Sequence, residues 1–494
     1  MTESFTERFA AGFAGYGTRP CIEFEHRWYS GDEIVDCSRR IADCLRVAGV
    51  PDDAAVGLVV RNRIPHAAAI MGFLAAGRPV AMIYSFQSAE AIARDVEKLD
   101  LAAVIADEED WTPPVSAAAQ RIGAAGVAIS TRDLTVGLVD GLAHTDQDRQ
   151  RSVIDAALAI LTSGTTGPPK RFVVRAEVLE HTVFSVTGGV AAPDDPPELV
   201  YWPLGGIGGV CQLATGGFIG KPMVLLERFS VGEWVRAIKT HAIRRCGLQP
   251  AVVRMLLDAD LPVADLASLE FVMSASGPLD AHTRDAFEAR YGLPVLTAYG
   301  ATEFAGSVCT WTPDLYREFG ATKRASSGRP LPGVEVRILD GQTGAELPTG
   351  SQGILEAKIP LLGPEWVRTT DIASIDADDF ITLHGRADGA INRGGFKILP
   401  ETVRAVLVSH PAVRDACVVG VSDSRLGEVP FAVVEAMPGT APAGGELTDL
   451  VREFLPKHNV PVAIAVVEEL PRTPSMKVSL GAVRELYSGE STRR

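Results

Sequence analysis

The sequence lacks the features that mark membrane-spanning, disulfide-bonded and nucleic-acid-binding proteins. Among its 494 residues, no window reaches the roughly 18 uninterrupted apolar residues that a membrane helix requires. The seven cysteines are scattered and none forms a CxxC pair, so we expect reduced thiols rather than disulfides or a zinc site. Acidic residues outnumber basic ones by 62 to 47, which argues against a nucleic-acid partner. The start, MTESFTERFA, has no basic region followed by an apolar run, so we expect no signal peptide and a cytoplasmic location.

Short apolar runs alternate with helical patterns over the first 300 residues, and this alternation predicts βαβ units with parallel sheets. The predicted strands are residues 56–60, 79–84, 102–106, 127–129, 156–161, 223–226, 271–274 and 295–298. After about residue 321 the pattern changes: residues 328–340 and 353–358 read as strands joined by turns, which favours an antiparallel, barrel-like piece.

A compact α/β segment is predicted beyond residue 385, with a helix over 400–410, strands over 416–421 and 431–436, and a helix over 447–455. The predicted fold class is therefore α/β. It has a large N-terminal region of two α/β subdomains plus a small β-barrel-like subdomain, followed by a small, mobile α+β C-terminal domain. We place the boundary so that residues 1–387 form the N-terminal domain and residues 388–494 the C-terminal one.

The most informative stretch is residues 161–170, LTSGTTGPPK, in which an apolar strand runs into hydroxyl and glycine residues closed by a lysine. Glycines let backbone N–H groups approach an anion, hydroxyls add donors, and the lysine adds positive charge, so phosphate is the natural ligand. The spacing differs from GxxxxGK[ST], because Arg171 stands where a magnesium-binding Ser or Thr would follow the lysine. A surface turn rich in Ser, Thr and Gly is the alternative interpretation.

Several further motifs stand in the same order as those of the adenylate-forming superfamily, which this chain resembles. That superfamily includes acyl- and aryl-CoA ligases, adenylation domains and luciferases. Its phosphate loop is similar to residues 162–170, its YGxTE to residues 299–303, and its GxPxPGxxxxIxD to residues 328–340. Its TGD is similar to residues 369–371, its GRxD hinge to residues 385–388, and its terminal PKTxSGK to residues 471–477.

The resemblance implies an ATP site with Mg²⁺. The loop would hold the β- and γ-phosphates. Tyr299 would lie against adenine, Thr302 would reach the α-phosphate, and Glu303 would bind Mg²⁺. Asp371 would accept the ribose hydroxyls and Arg386 would donate to the ribose. The nucleotide-binding residues implied in this way are Thr162, Ser163, Gly164, Thr165, Thr166, Gly167, Lys170, Ser276, Gly277, Tyr299, Gly300, Asp371 and Arg386.

The resemblance also implies how the C-terminal domain takes part. Lys477 would bridge the attacking carboxylate and the α-phosphate, so with Thr302 and Glu303 it makes up the predicted catalytic set. Asp388 would be the hinge about which that domain rotates after adenylation. Gly394 and Gly395 would then line a passage for the thiol of coenzyme A or of a carrier-protein phosphopantetheine; a tight turn is the alternative for this pair.

Four departures from the family pattern stand out: Arg171 after the loop lysine, Gly205-Gly206 where many relatives have an aromatic residue and a His, Thr370 in TGD, and Met476 before the lysine. We expect Arg171 to add charge and bulk near the phosphates. We expect the glycine pair to widen the substrate pocket or to leave room for an unusual group. The predicted pocket is small and uncharged, which favours an aryl or medium acyl acid over an amino acid. Its residues are Trp202, Gly205, Gly206, Ala298, Ala301 and Gly306.

The predicted activity is an ATP- and Mg²⁺-dependent ligation of a carboxylic acid, through an acyl-AMP, to coenzyme A or a carrier protein. Two alternatives stay open: an enzyme that activates nitrite for transfer to an arylamine, and a catalytically silent nucleotide-binding homologue. The expected partners are a small-molecule acid and an acyl carrier protein, with no nucleic acid and no membrane. The sequence leaves monomer and homodimer open.

Overall fold

The computed structural model describes residues 4–145, 157–161, 171–180, 195–277, 279–301, 304, 306–393, 396–473 and 476–491. Its strands, numbered in chain order, are β1 (Pro20–Phe24), β2 (Arg27–Ser30), β3 (Val56–Val60), β4 (Val80–Tyr84), β5 (Ala103–Asp107), β6 (Ala125–Ile129), β7 (Val136–Leu138), β8 (Leu158–Leu161), β9 (Arg171–Val174), β10 (Glu198–Val200), β11 (Met223–Leu225), β12 (Arg245–Leu248), β13 (Phe271–Ser274), β14 (Val295–Ala301), β15 (Gly306–Thr310), β16 (Arg329–Pro330), β17 (Glu335–Leu339), β18 (Gly353–Lys358), β19 (Trp366–Ile375), β20 (Ile381–Arg386), β21 (Ile391–Arg393), β22 (Phe396–Ile398), β23 (Val413–Asp423), β24 (Gly427–Ala436) and β25 (Ala463–Val467).

The α-helices whose full extent is described are α1 (Phe5–Ala14), α2 (Gly31–Val47), α3 (Ile64–Ala76), α4 (Ala89–Leu99), α5 (Pro113–Arg121), α6 (Ile207–Ile219), α7 (Val231–His241), α8 (Pro250–Asp258), α9 (Ala281–Tyr291), α10 (Pro313–Phe319), α11 (Pro400–Val408), α12 (Gly444–Phe454) and α13 (Leu480–Ser491). Within the described ranges, none is both long enough and apolar enough to cross a bilayer.

The largest sheet has the order β7-β6-β5-β3-β4-β8-β9, with β6, β5, β3, β4 and β8 running parallel. Strand β3 is buried at all five positions, as expected for a central strand covered by helices on both faces. A second sheet, β12-β13-β14-β15-β16, is parallel from β12 to β14 and antiparallel beyond. These two sheets confirm the predicted parallel architecture of the large N-terminal region.

The predicted barrel-like piece is antiparallel, but its strands β17, β18, β19 and β20 follow one another as an open four-stranded sheet. Its last strand, β20, leads into the C-terminal unit, which we define as β21–β25 with α11, α12 and α13. Two apolar cores lie on opposite faces of that unit's sheet, one with Leu407 and Leu447 and the other with Phe431 and Val483. The mixed α/β class that the sequence predicts is therefore confirmed.

Candidate nucleotide and acid site

The candidate site lies where the parallel strands of the second sheet end. Ser276 and Gly277 follow β13, and Tyr299 lies in β14 beyond the part that pairs with β13. Ligands of open parallel sheets bind at the carboxyl ends of the strands. Ser276 has a φ of +70°, a conformation that costs a residue with a Cβ about 1–2 kcal/mol, so the backbone is locally strained here.

Three of the predicted nucleotide-binding side chains come together beside this edge. The Tyr299 hydroxyl donates a hydrogen bond to Oδ2 of Asp371, and Asp371 is the cross-strand partner of Arg386 in the β19–β20 register. Nε of Arg386 lies 3.9 Å from Oδ1 of Asp371. Burial first, and then the charge of Asp371, raise the pKa of Tyr299 above its ordinary value, so its hydroxyl stays protonated. The arrangement presents an aromatic ring, an anion and a cation side by side.

Arg386 also contacts the predicted hinge residue. Its guanidinium donates to both oxygens of Asp388, at 2.9 and 2.6 Å, and to the hydroxyl of Thr370, at 3.2 and 2.9 Å. Thr370 is one of the departures from the family pattern, and its hydroxyl gives the arginine an acceptor that glycine would lack. The orientation of Arg386 is therefore set by Asp388, two residues later in sequence, and by Thr370 on the neighbouring strand β19.

Two of the predicted site glycines allow β14 and β15 to approach closely. A Cβ at Gly300 would lie 2.1 Å from the carbonyl oxygen of Gly306, which is impossible without moving one strand. The strand register shifts between Tyr299 and Gly300, as in a β-bulge. Gly300 and Gly306 thus shape the backbone around the site, and Ala298 and Ala301 lie on the same strand, β14.

Asn62 fixes the turn that carries the predicted acid pocket. Its amide nitrogen donates to the carbonyl oxygen of Trp202 at 2.9 Å, and its side-chain oxygen accepts from the backbone of Leu204 at 2.8 Å. Asn62 is buried, so these bonds are shielded from water. We had no prediction for this residue from the sequence, because an isolated Asn 140 positions before Trp202 gives no signal of the contact.

The expectation that the glycine pair widens the pocket is wrong at Gly205. A Cβ there would lie 2.7 and 2.8 Å from ring atoms of Tyr84 and 2.8 Å from Val60, so that space is already filled. At Gly206 the nearest atoms to such a Cβ are the carbonyl oxygen of Pro203 at 3.6 Å and the Tyr84 hydroxyl at 3.8 Å, which is ordinary contact. Among the described residues, position 206 therefore has room for a Cβ, whereas position 205 does not.

The expectation that Arg171 adds charge near the phosphates is also wrong. Its guanidinium donates to both carboxylate oxygens of Asp95, at 2.8 Å each, and to the carbonyl oxygen of Met82 at 2.7 Å. Both contacts to Asp95 come from one guanidinium nitrogen, Nη2; this ion pair neutralises the charge, and the bond from Nη1 to Met82 fixes the orientation of the arginine. Arg171 thus joins the β9 edge to α4 and β4.

Lys477 follows a turn closed by its own backbone. Thr473 N–H donates to the carbonyl oxygen of Lys477 at 2.7 Å, and Lys477 N–H donates to the Thr473 hydroxyl at 3.2 Å. Met476 within this turn has a φ of +62°, which explains physically why glycine is the expected residue there. A carbonyl of the turn, that of Met476, accepts from Arg472 at 3.5 Å.

Glu401, for which the sequence gives no prediction, lies over β20, the strand that precedes the predicted hinge residue. A Cβ at Gly385 would be 2.9 Å from its carboxylate, and burial raises the pKa of that carboxyl group. Glu401 lies in the first turn of α11, in the C-terminal unit, and is close to Arg386 and Asp371. Its position brings a third carboxyl group to the place where the C-terminal unit meets β20.

The remaining predicted residues lie outside the described part of the chain: Thr162, Ser163, Gly164, Thr165, Thr166, Gly167, Lys170, Thr302, Glu303, Gly394 and Gly395. Among the residues that are described, no group of three or more His, Cys, Asp or Glu side chains is arranged to hold a metal ion. Because Glu303 falls outside those residues, the Mg²⁺ site stays a prediction.

Two curated relatives match over most of the chain. A 4-coumarate–CoA ligase-like protein of Oryza sativa is 28% identical over 98% of this chain and 91% of its own length. A probable 2-succinylbenzoate–CoA ligase of Mycobacterium tuberculosis is 31% identical over 68% of this chain and 86% of its own.

Solved structures share the fold along almost the whole chain. ATP-bound MatB from Rhodopseudomonas palustris superposes with a TM-score of 0.83 at 22% identity, covering 98% of this chain and 99% of that one. The amide bond synthetase McbA from Marinactinospora thermotolerans has a TM-score of 0.80 at 25% identity, with 98% and 99% covered.

Family models account for both parts of the molecule. The model of the AMP-binding enzyme matches residues 9–363, and the model of the AMP-binding enzyme C-terminal domain matches residues 403–477. The first match alone spans well over half of the chain, and the second contains Lys477. The chain therefore belongs to the AMP-binding enzyme family, within the adenylate-forming superfamily that its motifs resemble.

Proposed function

We propose that this enzyme activates a carboxylic acid with ATP as an acyl-AMP and transfers the acyl group to the thiol of coenzyme A or of a carrier-protein phosphopantetheine. The observation that carries the proposal is the convergence of Tyr299, Asp371 and Arg386, which are separated by up to 87 positions in sequence, beside the strand ends. Both relatives described above are named as CoA ligases or as similar to one.

In this proposal the Tyr299 ring supports adenine, because a flat aromatic face stacks on any base. Asp371 accepts hydrogen bonds from the ribose hydroxyls, and Arg386 donates to the ribose. Its contacts with Thr370 and Asp388 hold it in place for this role. The loop at residues 162–170 and Thr302 take the phosphates. Glu303 would hold Mg²⁺, which would supply charge neutralisation at the phosphate oxygens.

Lys477 acts on the reaction itself. A carboxylate oxygen forms a bond to the α-phosphorus while the bond from that phosphorus to the oxygen of pyrophosphate breaks. Two anions meet at an anionic centre, so an ammonium group placed between them stabilises the transition state. We take residues 1–387 and 388–494 as the two domains and Asp388 as the hinge between them. Because Lys477 belongs to the second domain, its distance from the α-phosphate depends on the orientation of that domain.

The acid pocket favours a substrate without a second charge. The predicted lining residues Trp202, Gly206 and Gly306 are uncharged. A buried ammonium or second carboxylate there would need a partner of opposite charge. We therefore propose an aryl or medium acyl monocarboxylic acid.

Release of pyrophosphate tests the proposal. With ATP, Mg²⁺ and a panel of aryl, acyl and amino acids, at least one uncharged-tail acid is expected to elicit release. Lys477→Ala is expected to lower the rate by about a hundredfold or more, since it removes a transition-state charge. Lys457→Ala, which changes an exposed lysine of the same unit, is the matched control and should leave the rate unchanged. Equal rates in the two variants would refute the role of Lys477.

The acceptor and the alternatives are separated by further arms of the same assay. Coenzyme A, a pantetheinylated carrier protein and an amine are supplied in turn, and the product is identified by mass. Nitrite with an arylamine replaces the acid in another arm. Release of AMP in that arm, together with no release of AMP with any carboxylic acid, would favour the nitrite hypothesis. Absence of isotope exchange between pyrophosphate and ATP with every substrate would identify a silent homologue.

A further inference from the structure

Tyr84 takes the place of a side chain that position 205 lacks. Its ring atoms Cε1 and Cδ1 are 2.7 and 2.8 Å from the position that a Cβ of residue 205 would take, and its hydroxyl is 3.8 Å from the Cβ position of residue 206. The ring of Tyr84 therefore lies along Gly205 and Gly206, with its hydroxyl beside Gly206. The contact joins residues 121 positions apart, on β4 and on the turn before α6.

Tyr84 lies at the end of a strand that neighbours β8, the strand that precedes the predicted phosphate loop in sequence. Strand β4 runs parallel to β8, with Val80 opposite Leu158 and Ala81 opposite Ala159. Tyr84 ends β4, and Leu161 ends β8 immediately before the predicted phosphate loop. The carboxyl ends of adjacent parallel strands lie at the same edge of the sheet, so Tyr84 and Leu161 lie at one edge.

The strand that carries Tyr84 is held in place on both sides. Arg171 donates to the carbonyl oxygen of Met82 at 2.7 Å, and the Ser85 hydroxyl donates to the carbonyl oxygen of Val60 at 2.9 Å. The side-chain amide of Gln87 donates to the carbonyl oxygen of Tyr84 at 3.2 Å. A wall residue built on such a fixed strand end can discriminate substrates by size, because it cannot easily move aside.

The chemistry of this wall is aromatic with a polar end. Phe86 stacks on Tyr84 with ring centroids 4.8 Å apart and an interplanar angle of 23°. Burial raises the pKa of Tyr84 to about 12, so the hydroxyl is protonated at neutral pH and can donate to an anion. An aromatic wall attracts a planar ring, and a phenolic donor suits a carboxylate.

We propose that Tyr84 is a specificity-determining residue of the acid pocket, whose ring limits the size of the acid and whose hydroxyl donates to its carboxylate. This inference rests on the proposed ligase function. It names a planar aryl monocarboxylate as the substrate class and assigns to β4 a part of the pocket that the motifs do not contain.

Steady-state kinetics of pyrophosphate release test the inference, with KM measured separately for ATP and for aryl acids of graded size. Tyr84→Phe should raise KM for the acid about fivefold, as expected for one lost hydrogen bond, while KM for ATP stays within twofold. Tyr84→Ala should shift the preference toward larger acids, with kcat/KM for a larger acid relative to a smaller one rising about tenfold. Phe454→Ala, which removes an exposed aromatic ring of α12 in the C-terminal unit, is the control and should keep the wild-type size preference.

The outcomes separate this inference from the function on which it rests. If the wild-type enzyme releases pyrophosphate with none of the acids tested, both the function and the inference are refuted. Wild-type release with unchanged size preference in Tyr84→Ala would overturn the inference alone, and so would a rise in KM for ATP rather than for the acid. If Tyr84→Ala does not fold, Tyr84→Leu and Tyr84→Phe carry the same test, because both keep an apolar side chain against Gly205.

Discussion

Replacing Arg254 should loosen the contact between the C-terminal unit and the rest of the chain. Arg254, on α8, donates to Asp415 of β23 at 2.7 Å, and the two side chains are 6% and 3% exposed. Asp415 also accepts from Arg404 at 2.7 Å and from Arg472 at 3.0 Å, both within the C-terminal unit. Arg254, together with Asp280 with which it also pairs, thus links the large N-terminal region to a charge cluster centred on Asp415.

The magnitude follows from burial. Removing one partner of a buried ion pair costs about 3–5 kcal/mol, because the other charge is left without compensation. Asp415 keeps two arginines, so we expect Arg254→Met to cost about 3 kcal/mol, the lower end of that range. In terms of an equilibrium between docked and undocked C-terminal units, this corresponds to roughly a hundredfold more undocked molecules.

The pH of the measurement matters. Burial raises the pKa of Asp415, but the arginines Arg404, Arg254 and Arg472 outweigh burial and lower it to about 2. Because the folded-state pKa lies below the ordinary value of 3.8, the cluster stabilises the fold fully above that pH and loses its contribution as the pH falls toward 2. Measurements at pH 7 therefore see the whole effect.

Hydrogen exchange of backbone amides in α8 and β23 is the assay, together with proteolysis near residues 386–390. Arg290→Met is the matched control, because Arg290 pairs with Asp260 at 2.8 Å while the side chains are 40% and 80% exposed. Such a pair is worth less than about 1 kcal/mol. If Arg254→Met exchanges no faster than Arg290→Met at both elements, the cluster does not hold the unit in place and the reasoning fails.

Two further predictions concern the same unit. Met476→Gly should raise the free energy of unfolding by about 0.5–1 kcal/mol, since it releases roughly 1–2 kcal/mol of left-handed backbone strain and loses about 0.5–1 kcal/mol to the entropy of the unfolded chain. Thermal unfolding beside Met437→Gly, which has no such strain to release, measures this; a decrease at position 476 would contradict it. Glu401→Gln should stabilise the protein at pH 7 to 8, because burial raises the folded-state pKa of Glu401 above 4.5 and the ionised form is therefore disfavoured in the fold. The advantage of the variant should shrink as the pH falls from 7 toward 4.5, because Glu401 takes up its proton in the fold above that value, and a melting-temperature difference that grows on acidification would show the opposite sign.

The strands that the sequence predicts best are short apolar runs bounded by turn residues, whether their burial is complete, as in β3, or partial, as in β13 and β18. Residues 56–60, 271–274 and 353–358 are strands with the predicted bounds, since a short apolar run between turn residues has few other stable conformations. Strands β1 and β2 and helix α2 were missed. For α2 a signal existed: Ser30 and Glu33 form a capping box, with the Ser30 hydroxyl accepting from the backbone of Glu33.

The candidate site was only partly readable from the sequence. Motif order brought Tyr299, Asp371 and Arg386 to attention, and the structure brings these three together. Tyr84 against Gly205 and Arg171 against Asp95 depend on how β4 packs against its neighbours, which no local pattern encodes. Both of the wrong expectations, a wider pocket and an added charge, treated a side chain in isolation from the partner that occupies its surroundings.

The guanidinium group of Arg386 contacts residues of two proposed functional elements. Arg386 gives two hydrogen bonds to Asp388 at the proposed pivot, and it also faces Asp371 in the proposed sugar site. A sugar hydroxyl that accepts from Arg386 would withdraw a donor from Asp388, so occupancy of the nucleoside site and the torsional freedom of the pivot become thermodynamically linked. Linkage of this kind is reciprocal. If nucleotide binding changes the rotational equilibrium of the C-terminal unit, that equilibrium changes the affinity for the nucleotide by the same factor.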